Sequence, residues 1–129
     1  MFSLKKVMTG IVLLLTASGV AAQQVNIEYG ATKRIMIDDT RFGGCAAVIN
    51  PGPQTVAPSC AANWVTFDCL GNLGAAGSTK AGARDKLQAA QLALVTKTQT
   101  IIRIDPDVTT NGETCYAVTV QNLPFPVVE

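Results

Sequence analysis

From residue 23 onward, short apolar runs alternate with polar breaks rich in glycine and proline. Val25, Ile27 and Tyr29 alternate with Asn26 and Glu28, the two-residue period of a strand. Gly30-Ala31-Thr32 reads as a turn. Arg34 to Asp38, built around Ile35-Met36-Ile37, reads as a second strand that Asp38-Asp39-Thr40 breaks. Gly43-Gly44 opens an apolar piece from Cys45 to Ile49. Asn50-Pro51-Gly52-Pro53 closes it, because proline lacks a ladder donor and glycine permits the turn. Asn63 to Cys69 is the next strand, with Val65 and Phe67 on one face and Trp64 and Thr66 on the other.

Gly71 to Ser78 is a glycine-rich loop. After it the period changes. Ala83, Leu87, Ala90 and Leu94 recur at steps of four, three and four, so an amphipathic helix is predicted over about 79–96, with Ser78 or Thr79 capping it. Leu92 and Val95 fall outside that stripe. Thr100 to Asp105 is a strand stopped by Asp105-Pro106, and Thr114 to Gln121 is the last strand. Asn111-Gly112 lies in the roughly eight-residue connection between them, which predicts a hairpin with a longer loop. Leu123-Pro124-Phe125-Pro126 reads as an extended tail. The expected fold is α+β. It is a small antiparallel sheet, or an OB-like partly open barrel, of about five strands, with one amphipathic helix before the last two.

The chain has 129 residues, and its N-terminus changes the picture of where it acts. Lys5-Lys6, the apolar stretch Val7–Val20 and the small residues Gly19-Val20-Ala21-Ala22 have the three-part form of a cleavable export signal. The run from Val7 to Ala22 is shorter than the ~20 residues a membrane-spanning helix needs. The expectation is a signal peptide over 1–22 and one secreted globular domain over 23–129. That domain would be secreted or periplasmic, with no transmembrane segment after cleavage. Losing Lys5 and Lys6 takes the formal charge from +1 to −1. Such a charge gives no basic footprint for nucleic acid.

The four cysteines suit an oxidising compartment, where two disulfides would staple a modest core. Four cysteines allow three pairings. The favoured one joins Cys45 to Cys60, closing the loop 50–58 for ~3 kcal/mol, and Cys69 to Cys115, tying the end of one strand to the start of the last. A CxxC redox pair or a four-cysteine zinc site does not fit the spacing. The chain has no histidine, which removes Ser-His-Asp and Cys-His catalysis and the usual zinc sites. No metal and no cofactor is expected.

Carboxylate chemistry would rest on Asp38, Asp39 and Asp68. The acidic residues of Asp38-Asp39 and Asp105-x-Asp107 sit beside turn residues, where aspartate bonds its own backbone. Asp105-x-Asp107-x-Thr109-x-Asn111-Gly112 echoes a calcium loop, but Pro106 intrudes, the glycine is displaced and the twelfth position holds no glutamate. The expectation is a protein that is not an enzyme. For binding, the aromatic residues to weigh are Trp64, Tyr116 and Tyr29. Each could stack on a sugar ring; the bland reading is core packing, for Trp64 beside Cys60 and Cys69.

Two resemblances add to this. Cys69 to Leu123 resembles the second half of the B subunits of bacterial pentameric toxins. In both, an amphipathic helix (78–97) precedes an apolar strand (100–105) and a last strand (115–123). That likeness implies an OB fold, a ring-forming homo-oligomer and glycan binding, and it carries over no site residue. Cys60-x3-Trp64, Phe67-Asp68-Cys69-x-Gly71, Ser78-x-Lys80 and Asn111-Gly112 before Cys115-Tyr116-Ala117 resemble a family of short uncharacterised secreted bacterial proteins, which implies no activity. The functional expectation is an exported, non-enzymatic binding or interaction module, possible partners being a glycan or an envelope protein. The alternative is an envelope structural or inhibitor-like protein acting through loop 50–59.

Overall fold

The computed structural model describes residues 23–60 and 63–127, so the expected export signal lies outside the described residues. Among these residues are five strands: β1 Val25–Ile37, β2 Cys45–Asn50, β3 Trp64–Thr66, β4 Thr98–Thr110 and β5 Thr114–Pro126. One α-helix, α1 Lys80–Thr96, lies between β3 and β4. The strands hydrogen-bond in the ring order β1-β2-β3-β5-β4, and β4 returns to β1. Every pairing is antiparallel except β3 with β5. That parallel seam holds two residue pairs, Val65 with Cys115 and Thr66 with Tyr116. The fold is therefore the expected OB-like, partly closed ring of five strands with a helix before the last two.

Ile27, Ile49, Val65, Phe67, Ile102 and Ile104 fill the interior, and Ala83 and Ala90 of α1 join the same cluster. Small side chains on the inward helix face let the helix approach the strands closely. Leu87 packs against the cluster while partly exposed, and Leu92 and Val95 face outward. The Thr79 hydroxyl accepts from the Gly82 amide at 3.0 Å, capping one of the donors a helix start leaves unpaired. Lys97 ends the helix in the left-handed region, at φ 54°.

The sequence signals fail at several places, each for a tertiary reason. Gly30-Ala31-Thr32 is not a turn, because β1 runs unbroken from Val25 to Ile37. Its first half pairs with β4 and its second with β2, and Ala31 pairs with both, opposite Gln99 on one side and Asn50 on the other. Gly30 is there because it passes over Ile49: a Cβ at this position would stand 2.8 Å from Ile49 Cγ2.

Asp105-Pro106 does not stop β4. The register jumps from Asp105 opposite Tyr116 to Thr109 opposite Cys115, so Pro106 to Val108 bulge out of the ladder. A proline is tolerated in such a bulge because no ladder donor is required of it. The strands then extend to a tight turn at Asn111 and Gly112, both at positive φ, as a type I′ hairpin turn requires. The expected longer loop is absent. Leu123 to Pro126 is the end of β5 rather than a tail.

The disulfides are Cys45–Cys69 and Cys60–Cys115, not Cys45–Cys60 and Cys69–Cys115. The parallel seam is the reason. Were β3 and β5 antiparallel, the end of β3 would meet the start of β5, and Cys69 would meet Cys115. Parallel strands put their starts together, so Cys60, in the segment entering β3, meets Cys115 at the start of β5. Cys69, just past the other end of β3, meets Cys45 at the start of the antiparallel β2, where the Phe67 amide donates to the Cys45 carbonyl. With β3 between them, β2 and β5 stand about 10 Å apart at ~4.8 Å per strand.

Candidate functional site at the bend of the first strand

Where β1 changes partners it also bulges. Ile27 lies opposite Ile102 and Gly30 opposite Thr100, leaving one extra residue on β1. Tyr29 sits in that bulge with φ 54°, a left-handed conformation that costs a non-glycine residue about 1–2 kcal/mol. The bulge breaks the two-residue period: Glu28 and Tyr29 are both exposed, while Ile27 and Gly30 are buried. Tyr29 therefore does not continue the face of Val25 and Ile27, as the alternation predicts. It stands outward, 59% exposed. Phe42, Asp68, Lys97 and Asn111 also have positive φ; Tyr29 is the one of the five whose aromatic ring stands exposed.

Two adjoining concavities open beside it. The larger, about 510 Å³, is lined by Tyr29, Ala31, Lys33, Asn50, Pro51, Gln99 and Val127. The smaller, about 190 Å³, shares Ala31, Lys33 and Val127 and adds Thr32, Leu94 and Lys97. Their geometry follows from the sheet. Asn50, Ala31 and Gln99 form one cross-strand row, and directly opposed residues share a face. Two carboxamides thus flank an alanine, ~10 Å apart at about 5 Å per step. Lys97, at the helix end, receives the Val127 amide on its carbonyl at 2.8 Å, which holds Val127 along the groove. Thr32 is 6% exposed and its hydroxyl has no hydrogen-bond partner. Among the described residues, no acidic side chain lines either concavity, and neither Lys33 nor Lys97 forms an ion pair.

The other aromatic candidates are differently placed. Trp64 is half-buried on the outer side of the ring, in the row Arg34–Val48–Trp64. Phe42 stacks on it at 5.9 Å between centroids. The Arg34 guanidinium lies 5.5 Å from its centroid. Arg41 in turn lies over Phe42 and binds Asp38 at 2.9 Å. Tyr116 is 4% exposed. Its hydroxyl accepts from Lys86 Nζ at 2.6 Å, which places it in the packing of α1 on β5. The three aromatics do not form one site.

Asp38 and Asp68 spend their carboxylates on their own loops. Asp38 accepts from the Thr40 amide, the Thr40 hydroxyl and Arg41. These contacts, the Thr40 amide foremost, lower its pKa from 3.8 to about 2. Asp68, fully buried, accepts from the amides of Asn72 and Leu73 at 2.9 and 2.8 Å. Asp105 binds the Asp107 amide. No group of three or more metal-ligating side chains forms among the described residues.

Loop 50–59 is folded on itself. Gly52 and Pro53 carbonyls accept from Thr55, Val56 and Ala57 amides. Gln54 donates to Asn63, and that pair sits directly against Gly52. Its first two residues, Asn50 and Pro51, form part of the groove wall.

Among the described residues, no helix is long and apolar enough to cross a membrane. No protein family, curated protein or solved structure matches the chain.

Proposed function

We propose that this chain is an exported, non-enzymatic binding module that seats a sugar ring in the groove beside Tyr29. Tyr29 carries the reading: of the five non-glycine residues at positive φ it is the exposed aromatic one, and it lines a concavity edged by two carboxamides. Amphipathic rings stack on the apolar face of a sugar, and carboxamides supply both donors and acceptors to its hydroxyls. A cavity of about 510 Å³ is within the range of small-molecule sites. The N-terminal signal pattern and the two disulfides support an extracytoplasmic setting for it.

The strain supplies the test. Tyr29→Gly removes the ring and relieves the left-handed conformation, at the entropic cost of a glycine, about 0.5–1 kcal/mol. The variant should unfold at the same denaturant concentration as the parent chain, or a higher one. On an array of mono- and oligosaccharides, residues 23–129 should bind a subset of sugars, and Tyr29→Gly should lose them. Absence of binding to any sugar, or equal binding by the variant, refutes the proposal.

A further inference from the structure

We infer that the groove selects saccharides bearing an anionic group, which the ammonium groups of Lys33 and Lys97 recognise; this rests on the sugar-seat reading of the same groove. Lys33 extends from β1 and lines both concavities, whereas Lys97 extends from the end of α1 and lines the smaller one. The two residues are 64 positions apart and are brought to one recess by the strand bend and the helix end. A cation at a helix C-terminus already has the carbonyl dipoles as partial neutralisation, and among the described residues no carboxylate lines either concavity.

The contrast with the other lysines sharpens the assignment. Lys86 has its ammonium engaged by Tyr116 and the Ala117 carbonyl. Lys80 likewise has no partner among the described residues, but it lines neither concavity. Lys33 and Lys97, both exposed, have no hydrogen-bond or ion-pair partner among the described residues, and both line the smaller concavity. Beside them the Thr32 hydroxyl, buried and without a partner, is an unused polar group of the recess wall. A ring stacked on Tyr29, with its hydroxyls on Asn50 and Gln99, would present an anionic substituent to the adjoining concavity that Lys33 and Lys97 both line. Lysine presents a point charge rather than a planar fork, so a carboxylate and a sulfate ester both suit the site. The shared chemistry is one negative charge on a sugar ring.

Isothermal titration of residues 23–129 with a glucuronate disaccharide, a sulfated glucose, the matching neutral disaccharide and acetate separates the possibilities. Both anionic sugars should bind about tenfold more tightly than the neutral one at low salt, since two partly exposed ion pairs contribute on that order. The advantage should shrink at high salt. Lys33→Met with Lys97→Met keeps the apolar stems and should reduce anionic sugars to the affinity of the neutral one. Equal binding of neutral and anionic sugars overturns the inference and leaves the sugar seat standing. Acetate binding as tightly as the anionic sugars also overturns it, by showing charge recognition without a ring. Binding of none of the four overturns the inference, and the sugar seat falls with it only if the saccharide array is blank as well. A tenfold preference that survives the double substitution assigns the charge recognition elsewhere and overturns it too.

Discussion

Cys60 and Cys115, 55 positions apart in the chain, are bonded beside the two-pair seam that closes the strand ring. Val65, paired with Cys115, is the neighbour of that bond in the seam. Replacing both cysteines by alanine releases a 55-residue constraint on the unfolded chain, worth ~4 kcal/mol in the loop-closure treatment. Removing Cys45–Cys69, at a sequence separation of 24, should cost ~3.5 kcal/mol. The two variants should differ more in where they open than in how stable they are. Hydrogen exchange should show lost protection at Thr66 and Tyr116 in the Cys60→Ala/Cys115→Ala variant while the β1–β4 ladder stays protected. Equal exchange at the seam in both variants would show that the bond does not hold the ring shut.

The seam also marks the limit of what the sequence reveals. Helix α1 was legible to within a residue because its stripe and Thr79 cap are local signals. The order of strands around the helix was legible from breaks such as Asn50-Pro51. The direction in which β3 meets β5 was not, since nothing local in Trp64–Thr66 encodes a partner fifty residues away, and the disulfide pairing followed that direction. At Tyr29, the alternation of Val25, Ile27 and Tyr29 concealed the bulge. Gly30 was the available clue, because an isolated glycine in a strand pattern marks a bulge or a close backbone approach. The convergence of Lys33, Asn50, Lys97 and Gln99 had no signature in the sequence, each being an ordinary surface residue in its own segment.

Gly30 should resist substitution for a steric reason. Gly30→Ala places a Cβ 2.8 Å from Ile49 Cγ2, inside a core that does not yield easily, and should cost about 1–3 kcal/mol. The same substitution should cost much less in an Ile49→Ala background, where the opposing methyl is gone. Urea unfolding of the four proteins gives the coupling directly. An equal penalty in both backgrounds would place the cost in the backbone rather than in this contact.

Acid should loosen the segment after β1 through Asp38. Its folded pKa of about 2 lies below the ordinary aspartate value of 3.8, first because of the Thr40 amide, then the Thr40 hydroxyl and Arg41. A depressed folded pKa gives stability that is complete above the unfolded value and is lost as pH falls through the folded one. The wild-type advantage over Asp38→Asn should therefore be constant above about pH 5 and diminish toward pH 2. Unfolding measured at intervals across that range checks it; an advantage that does not change with pH would mean that the carboxylate charge contributes nothing.

Lys86 and Tyr116 should prove coupled in stability and irrelevant to ligand. Lys86 Nζ donates to the Tyr116 hydroxyl at 2.6 Å and to the Ala117 carbonyl at 3.0 Å. Lys86→Met keeps the stem but leaves both acceptors without this donor, at a cost of about 1–3 kcal/mol. Tyr116→Phe removes one acceptor and lets the ammonium keep the carbonyl, so it should cost only ~1 kcal/mol. The pair should therefore show a coupling of roughly 0.5–1.5 kcal/mol in a double-mutant cycle. A coupling of zero would mean that Lys86 holds the β5 backbone alone and that the tyrosine hydroxyl is a bystander. Sugar binding by Tyr116→Phe should match the parent chain, because its ring is shut inside the α1–β5 packing, whereas loss of the exposed Tyr29 ring should abolish it. The same residue type thus serves opposite ends at two positions, and a one-residue bulge in β1 is what separates them.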